Sequence, residues 1–377
     1  MVEAIKIGNK TLVMNGKILS LFRRGSLLRQ MYYGGYEDFD GANGGVWKKY
    51  INIPIKTVPL EYAQYRIEID DTNVSVYNVD WELKVQSAIA SEFWELVRSD
   101  GFDIRAFDHL FRQLWFWVEK FDYTNKKAKI WVRLPENSKE LNIAFGNEKA
   151  SKSSYNNVDE VFEFFDDFDG LELDTNKWTP NFVNTVSYEI VDSNLRIKDA
   201  TKSDGAYWIY DNTDTGSQIK ANFTPLDKMI IEWKQKMETQ SSASQMGQVG
   251  VGLCKEDKTV EVYLDEIDSL GSTIVYEMGY DIINGQSRTQ SVNINADTYY
   301  ILRIVRDSDN YKLEAIDEQG NVVYSPVTGS STATISYMAI CVGAYGGHPF
   351  EPMQIDWVRV LKFADPATFD TPKILEF

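Results

Sequence analysis

The sequence predicts an all-β protein, a small N-terminal β-sandwich followed by a larger C-terminal jelly-roll sandwich. Three observations carry this reading. Short runs of alternating apolar and polar residues, rich in β-branched and aromatic side chains, recur along most of the chain. Turn pairs such as Asp204-Gly205 and Asn284-Gly285 punctuate them. No long helical periodicity competes, and 377 residues suit two or three domains.

The elements follow in order. In residues 1–45, Ile5, Ile7, Leu12, Met14 and Ile18 alternate around Gly8-Asn9 and Asn15-Gly16, which reads as three short strands. A piece this small buries little by itself, so it is expected to pack on another chain or on the next domain. Residues 21–46 turn basic, then aromatic, then Gly-rich, which reads as a linker or docking segment ending in a flexible Gly41–Gly45 stretch. The first domain spans 46–157. Trp47, Tyr50, Ile51, Ile53 and Ile55 are its first core candidates, a short helix is expected near Ser91–Arg98, and about six strands precede Gly146. The second domain spans 158–363 and holds ten or more short strands. Residues 364–377 carry two prolines and read as an extended arm.

Composition narrows the partners. The net charge of −17 disfavours nucleic acid, because phosphate binding needs clustered Lys and Arg. No run of about 18 apolar residues occurs, so no membrane-inserting segment is expected. The N-terminus lacks the apolar core and cleavage site of a secretory leader. Cys254 and Cys341 sit in apolar strand-like runs without metal spacing; buried free thiols and a disulfide between neighbouring strands both remain open. With His109 and His348 the only histidines, a histidine-based zinc or nucleophile site has little to build on.

Two stretches carry a resemblance. Trp131–Pro135, Ala144–Asn147, Ala150–Ser151 and Val161–Phe168, with Ser99–Asp108 upstream, resemble an uncharacterised β-domain of archaeal and bacterial surface proteins. FFDDFDGLELDTNKW at Phe164–Trp178 and IDWVRVLKF at Ile355–Phe363 resemble the first and last strands of the concanavalin A-like lectin/glucanase superfamily. That second resemblance implies carbohydrate recognition as the usual task, although fold does not prove it.

The resemblance also frames the chemistry. Its glucanases carry a Glu-x-Asp-x-Glu or Glu-x-Asp-x-x-Glu set on one strand, where alternation aligns the side chains. Here Glu266 and Asp268 match the first half, while Leu270 and Gly271 stand where the third carboxylate belongs. Glycosidase chemistry is therefore disfavoured, with Glu277 as a substitute acid if the strand order allows. The superfamily's structural calcium would fall on Asp167 and Asp356. Sugar stacking calls for aromatic faces with polar neighbours, for which Trp208, Tyr210, Trp233, Tyr276 and Tyr345, with His348 on a Gly-rich loop, are the candidates.

These readings combine into an expectation. The protein is a non-enzymatic virion surface component of a prokaryotic virus, a tail fibre, spike or turret part, that binds glycans of the host cell envelope. Residues 1–45 dock on other virion proteins, with Phe22–Phe39 and its Arg23, Arg24 and Arg29 as the docking strip, and the protein is a homo-oligomer. The alternatives are a β-glucanase-type glycoside hydrolase and a ligand-free capsid or cell-surface module.

Overall fold

The computed structural model describes residues 3–7, 10–14, 39–79, 81–182, 186–199, 217–239, 247–269, 275–278, 282–284, 286–287, 292–344, 352–364 and 367–377. The chain divides into two compact units, Met1–Val161 with Asp365–Phe377, and Phe162–Ala364. The second unit is thus an insertion within the first.

The N-terminal segment forms an antiparallel pair, β1 (Glu3–Ile7) and β2 (Lys10–Met14), with Ile5 opposite Leu12. The third strand expected at Ile18, and most of the Phe22–Phe39 strip, lie outside the described residues.

The first unit is a small sandwich of two five-stranded sheets. Its strands are β3 (Lys49–Thr57), β4 (Ala63–Ile69), β5 (Val74–Tyr77), β6 (Leu83–Ser87), β7 (Arg105–Asp108), β8 (Phe116–Asp122), β9 (Lys127–Leu134) and β10 (Glu140–Phe145). Helix α1 (Ala90–Leu96) fills the place expected for it and buries Ala90, Phe93 and Trp94; α2 (Val158–Val161) is a single turn. One sheet runs β6-β5-β4-β9-β8. The other holds β3, β10 and β7, and is completed by β28 (Thr368–Phe369) and β29 (Lys373–Glu376), which both pair with β3. Alternation buries Trp47, Ile51 and Ile53, while Tyr50 and Ile55 are half-buried.

Two expectations change here. Phe39–Gly45 is not a flexible linker. Phe39 is buried against Trp47 and Phe107, with ring centroids 5.3 and 5.0 Å away. The Asp40 carbonyl accepts from the Arg105 Nε at 2.8 Å, and the Gly41 carbonyl accepts from the Ser151 amide at 3.0 Å. Gly41 has a φ of +73°, and a Cβ there would stand 2.7 Å from the Ser151 hydroxyl, so the approach needs glycine. Arg105 ties the segment down: fully buried, it also donates to the carbonyls of Phe102, Ile104 and Ser151, and desolvation pulls its pKa down to about 10. The second change concerns residues 364–377, whose β28 and β29 are edge strands of the first unit rather than a free arm.

The second unit is the predicted jelly-roll sandwich. Its strands are β11 (Phe164–Asp166), β12 (Trp178–Asn181), β13 (Val186–Val191), β14 (Asn194–Asp199), β15 (Ser217–Ala221), β16 (Lys228–Met237), β17 (Gly247–Cys254), β18 (Val260–Ser269), β19 (Val275–Met278), β20 (Ile282–Ile283), β21 (Gln286–Ser287), β22 (Val292–Ile294), β23 (Tyr300–Asp307), β24 (Asn310–Asp317), β25 (Val322–Ser330), β26 (Tyr337–Ala344) and β27 (Met353–Lys362). An eight-stranded sheet runs β13-β14-β27-β16-β23-β24-β25, with β11 also on β27. A nine-stranded sheet runs β12-β15-β26-β17-β18-β19-β22, with β20 and β21 beside β18. Phe164 pairs with Val360, so the first and last strands of the insertion lie side by side, as the sequence resemblance implies.

Between the sheets lies one apolar core that includes Trp178, Trp233, Val251, Leu264, Leu302, Ile340 and Val358. On the opposite face of the eight-stranded sheet sits a buried ion network. Glu232 Oε1 meets Arg303 Nη2 at 3.0 Å and Glu232 Oε2 meets Arg359 Nε at 2.7 Å, while Arg303 Nη1 reaches Glu314 at 2.9 Å. Taking these charges out of water is tolerable because each guanidinium has a carboxylate in hydrogen-bond geometry.

Candidate functional site

Strand alternation decides which side chains the nine-stranded sheet presents outward. Val249, Val251 and Leu253 of β17, Val262 and Leu264 of β18, and Met338, Ile340 and Val342 of β26 all enter the core. Their alternates face the other way: Gln248, Gly250, Gly252 and Cys254; Glu261, Tyr263 and Asp265; Tyr337, Ala339 and Cys341. Gln218 of β15 joins this outer face, opposite Cys341.

This face is polar where a sandwich exterior would be open, yet it is buried. Gln218 accepts from the Tyr337 hydroxyl at 2.8 Å and donates to the Lys258 carbonyl at 3.2 Å. Glu261, 2% exposed, pairs with Lys255 at 3.2 Å and accepts from the Ser331 hydroxyl. At the centre of the sheet the pairing stops. Gln248 is 1% exposed, and among the described residues neither its amide oxygen nor its amide nitrogen has a hydrogen-bond partner. The Tyr263 hydroxyl, fully buried, also has none. Asp265 is fully buried beside them, and burial together with its charge pushes the Tyr263 pKa well up. Leaving a buried polar group unbonded costs about 1–3 kcal/mol. Gln248 and Tyr263 carry that cost on one face of adjacent strands.

Register explains the grouping. Asp265 lies opposite Gly250, and Tyr263 opposite Gly252. A Cβ at Gly250 would fall 2.0 Å from the Leu264 carbonyl oxygen, so β17 and β18 approach too closely for any side chain there. Gly250 leaves no side chain opposite Asp265, whereas the Cys341 sulfur covers Gly252, 3.3 Å from where its Cβ would stand.

The structure places the residues singled out by sequence very differently. Glu266 continues the inward series Val262, Leu264, and lies opposite Val249 and Met278. It is fully buried between the sheets, neither carboxyl oxygen is hydrogen-bonded, and desolvation holds its pKa well above the ordinary carboxylate range. Its polar neighbour Gln235, whose amide donates to the Val249 carbonyl at 2.8 Å, lowers that pKa only in part. Glu266 is therefore a neutral core group, not a nucleophile on a sugar-binding surface. Asp268 lies opposite Tyr276 on β18, and its side chain is outside the described residues, as are Leu270 and Gly271. Glu277 lies opposite Ile267, on the other face of the sheet from Glu266, so the two carboxyls cannot flank one glycosidic bond.

Trp233 is likewise corrected. It is fully buried in the core and donates from Nε1 to Gln235 Oε1 at 3.0 Å, which leaves no face for a sugar. Tyr276 is half-buried and packs against the same core. Trp208, Tyr210, Tyr345 and His348 lie outside the described residues.

At the expected calcium positions, Asp167 is exposed, and Asp356 pairs with Lys234 at 2.8 Å, an ammonium that also meets Glu318 at 2.8 Å. A cation at Asp356 would compete with that lysine. Among the described residues no group of three or more His, Cys, Asp or Glu side chains gathers to hold a metal ion. The acids around the first strand serve turns instead. Asp166 accepts from Trp178 Nε1 at 2.6 Å and from the Phe168 amide at 3.0 Å, and Asp174 accepts from the Asn176 amide at 2.8 Å.

Cys254 and Cys341 are free and buried. They lie on adjacent strands but out of register, Cys254 opposite Tyr337 and Cys341 opposite Gly250, so no direct cross-strand bridge joins them.

Sequence reading missed Gln248, Tyr263 and Asp265. The signal was present, because the apolar series Val249-Val251-Leu253 and Val262-Leu264 assigns their alternates outward and carries Glu266 inward.

No curated protein sequence matches the chain. Among solved structures, a glycosyl hydrolase family 16 protein from Mycobacterium smegmatis aligns at 17% identity and TM-score 0.36, over 53% of this chain and 99% of its own. The CBM2 module of the evolved Dit of Lactobacillus casei BL23 phage J-1 aligns at 9% identity and TM-score 0.37, over 54% and 96%. A structure titled for endo-acting O-glycanases of human gut microbiota aligns at 14% identity and TM-score 0.38, over 54% and 100%. Residues 100–181, which span the end of the first unit and the start of the second, match the family model described as domain of unknown function DUF2341.

Proposed function

We propose that this protein is a glycan-binding module without glycosidase chemistry, and that the outer face of β17 and β18, buried in the free protein, opens to take the sugar. The observation that carries this reading is the pair of buried, unbonded polar side chains, Gln248 and Tyr263, beside Asp265. An amide, a phenol and a carboxylate together offer donors and acceptors suited to a polyhydroxylated ligand. Against hydrolysis stands the separation of Glu266 and Glu277 on the two faces of the sheet. The test is a glycan array with the intact protein, repeated with Tyr263→Phe and Gln248→Leu. Silence of the wild type at high concentration would sink the reading. Binding that persists in both variants would move the site elsewhere, and reducing-sugar release would restore the hydrolase.

The finer setting is a proposal of the same kind. We place the module on a virion or similar particle, as a homo-oligomer attached through residues 1–45. The β1–β2 pair supports attachment, because a two-stranded ribbon is only marginally stable by itself and gains from a partner. Removing residues 1–38, which spares the packed Phe39–Gly45 stretch, is expected to abolish assembly, read by sedimentation velocity; unchanged assembly would refute the role.

A further inference from the structure

The first unit is completed by a strand that arrives from the far end of the chain. β3 has two edges. β10 occupies one, and residues 368–377 run antiparallel along the other, from Thr368 opposite Thr57 to Glu376 opposite Lys49. Between these sits 2.8 Å of backbone hydrogen bond from the Asp370 amide to the Pro54 carbonyl. The contacts are specific. The Ala367 amide donates to the Tyr65 hydroxyl at 2.7 Å, and Phe369, 6% exposed, sets its ring edge-on to Tyr65 at 5.1 Å. Thr368 and Thr57 hydroxyls meet at 2.7 Å, and Lys56 pairs with Asp370 at 2.8 Å. Phe377 closes the segment against Tyr50 at 4.8 Å and Phe107 at 5.7 Å.

Without this segment β3 would present a nine-residue edge of unpaired amides and carbonyls, a ready acceptor for another strand. The segment belongs to the first unit but is joined to the rest of that unit only through the inserted sandwich. Every contact above is made by side chains and backbone that any copy of this chain also carries. In contact terms, docking in cis and docking from a neighbour are therefore equivalent. What separates them is the effective concentration of the tethered strand, about millimolar for a short tether, and here the tether is a folded unit whose first and last strands pair.

We propose that the β3 edge is a strand-acceptor site whose partner is residues 367–377 of a second copy of this chain, exchanged for the copy's own segment when concentration competes with the tether. The exchange is reciprocal or head-to-tail, and it needs no surface beyond the one already built.

The full chain carrying Thr57→Cys with Thr368→Cys tests this, because those residues face each other across the pairing and the native cysteines are buried. The variant is unfolded, refolded at rising protein concentration, oxidised and separated without reductant. An internal cross-link is expected at low micromolar concentration, with covalent dimers or a ladder growing several-fold as refolding approaches the millimolar range. Phe369→Asp in the same background is expected to reduce both products. An internal cross-link at every concentration would overturn exchange, and no cross-link at all would overturn the pairing beneath it. Folding of each variant is followed independently by the core tryptophan signal of the second unit.

Discussion

Glu266 and Glu277 stand on opposite faces of the nine-stranded sheet, Glu266 opposite Met278 and Glu277 opposite Ile267 on the neighbouring strand. One residue of register separates a core group from an outward-facing one, so Glu266 and Glu277 cannot serve as the paired carboxylates of a glycosidase. It also makes Glu266 a stability determinant rather than a reactive one.

Glu266→Gln is expected to stabilise the protein in a pH-dependent way. Burial raises the folded-state pKa of Glu266, so its carboxyl stays protonated in the fold while the unfolded chain ionises. The contribution of Glu266 is therefore fully present below the unfolded pKa of about 4.3 and is lost as pH rises from there toward the folded value. The gain from glutamine should be near zero at pH 4 and positive at pH 7–8, at about 2–4 °C in Tm per kcal/mol. Equal Tm differences at both pH values would refute the buried neutral carboxyl.

Trp233→Ala is expected to cost about 3–5 kcal/mol, because it opens a large cavity and removes the donor to Gln235. Urea denaturation measures this directly. A stable variant that lost only sugar binding would show that the ring is exposed after all.

Glu232→Gln should destabilise by about 3–5 kcal/mol, since buried Arg303 and Arg359 lose the carboxylate they share and Arg303 keeps Glu314. Replacing all three groups by apolar residues of similar volume is expected to recover much of that loss, a result that separates the cost of an unpaired charge from the worth of the network. Guanidinium midpoints of the two variants, compared at one pH, decide it.

Tyr263→Phe removes a buried hydroxyl that has no partner, so the free protein is expected to hold or gain up to about 1 kcal/mol. The same change should weaken glycan binding by about tenfold, the equivalent of one lost hydrogen bond of about 1.4 kcal/mol. Titration calorimetry alongside thermal unfolding checks both signs at once. A destabilised variant would mean that the hydroxyl is already satisfied in the fold.

Much of the architecture was legible along the chain. The alternation of Ile51 and Ile53, of Val249 and Val251, and of Val262 and Leu264 marks strands and their inward faces. The Ala90–Leu96 helix falls within two residues of its expected span. Phe164–Asp166 and Met353–Lys362, the two marks of the larger sandwich, do pair. The site was less legible. Reading Glu266 with Asp268 followed a motif, whereas the apolar period running into Glu266 already assigned it to the core. Trp233 was legible in the same way, because it continues the inward series Met229 and Ile231 between the polar Glu232 and Lys234.

Local sequence, then, determined the strand-rich character of the protein, its division into two sandwiches and the periodicity of each strand, because these follow from side-chain alternation over a few residues. Tertiary structure alone decided that residues 367–377 close the first sandwich, that Lys234 occupies the carboxylate of Asp356, and that Gln248, Tyr263 and Asp265 share one buried face. Those relations depend on which strands become neighbours and in which register. Register is set by non-local pairing, and a shift of a single residue sends every side chain of a strand to the other face.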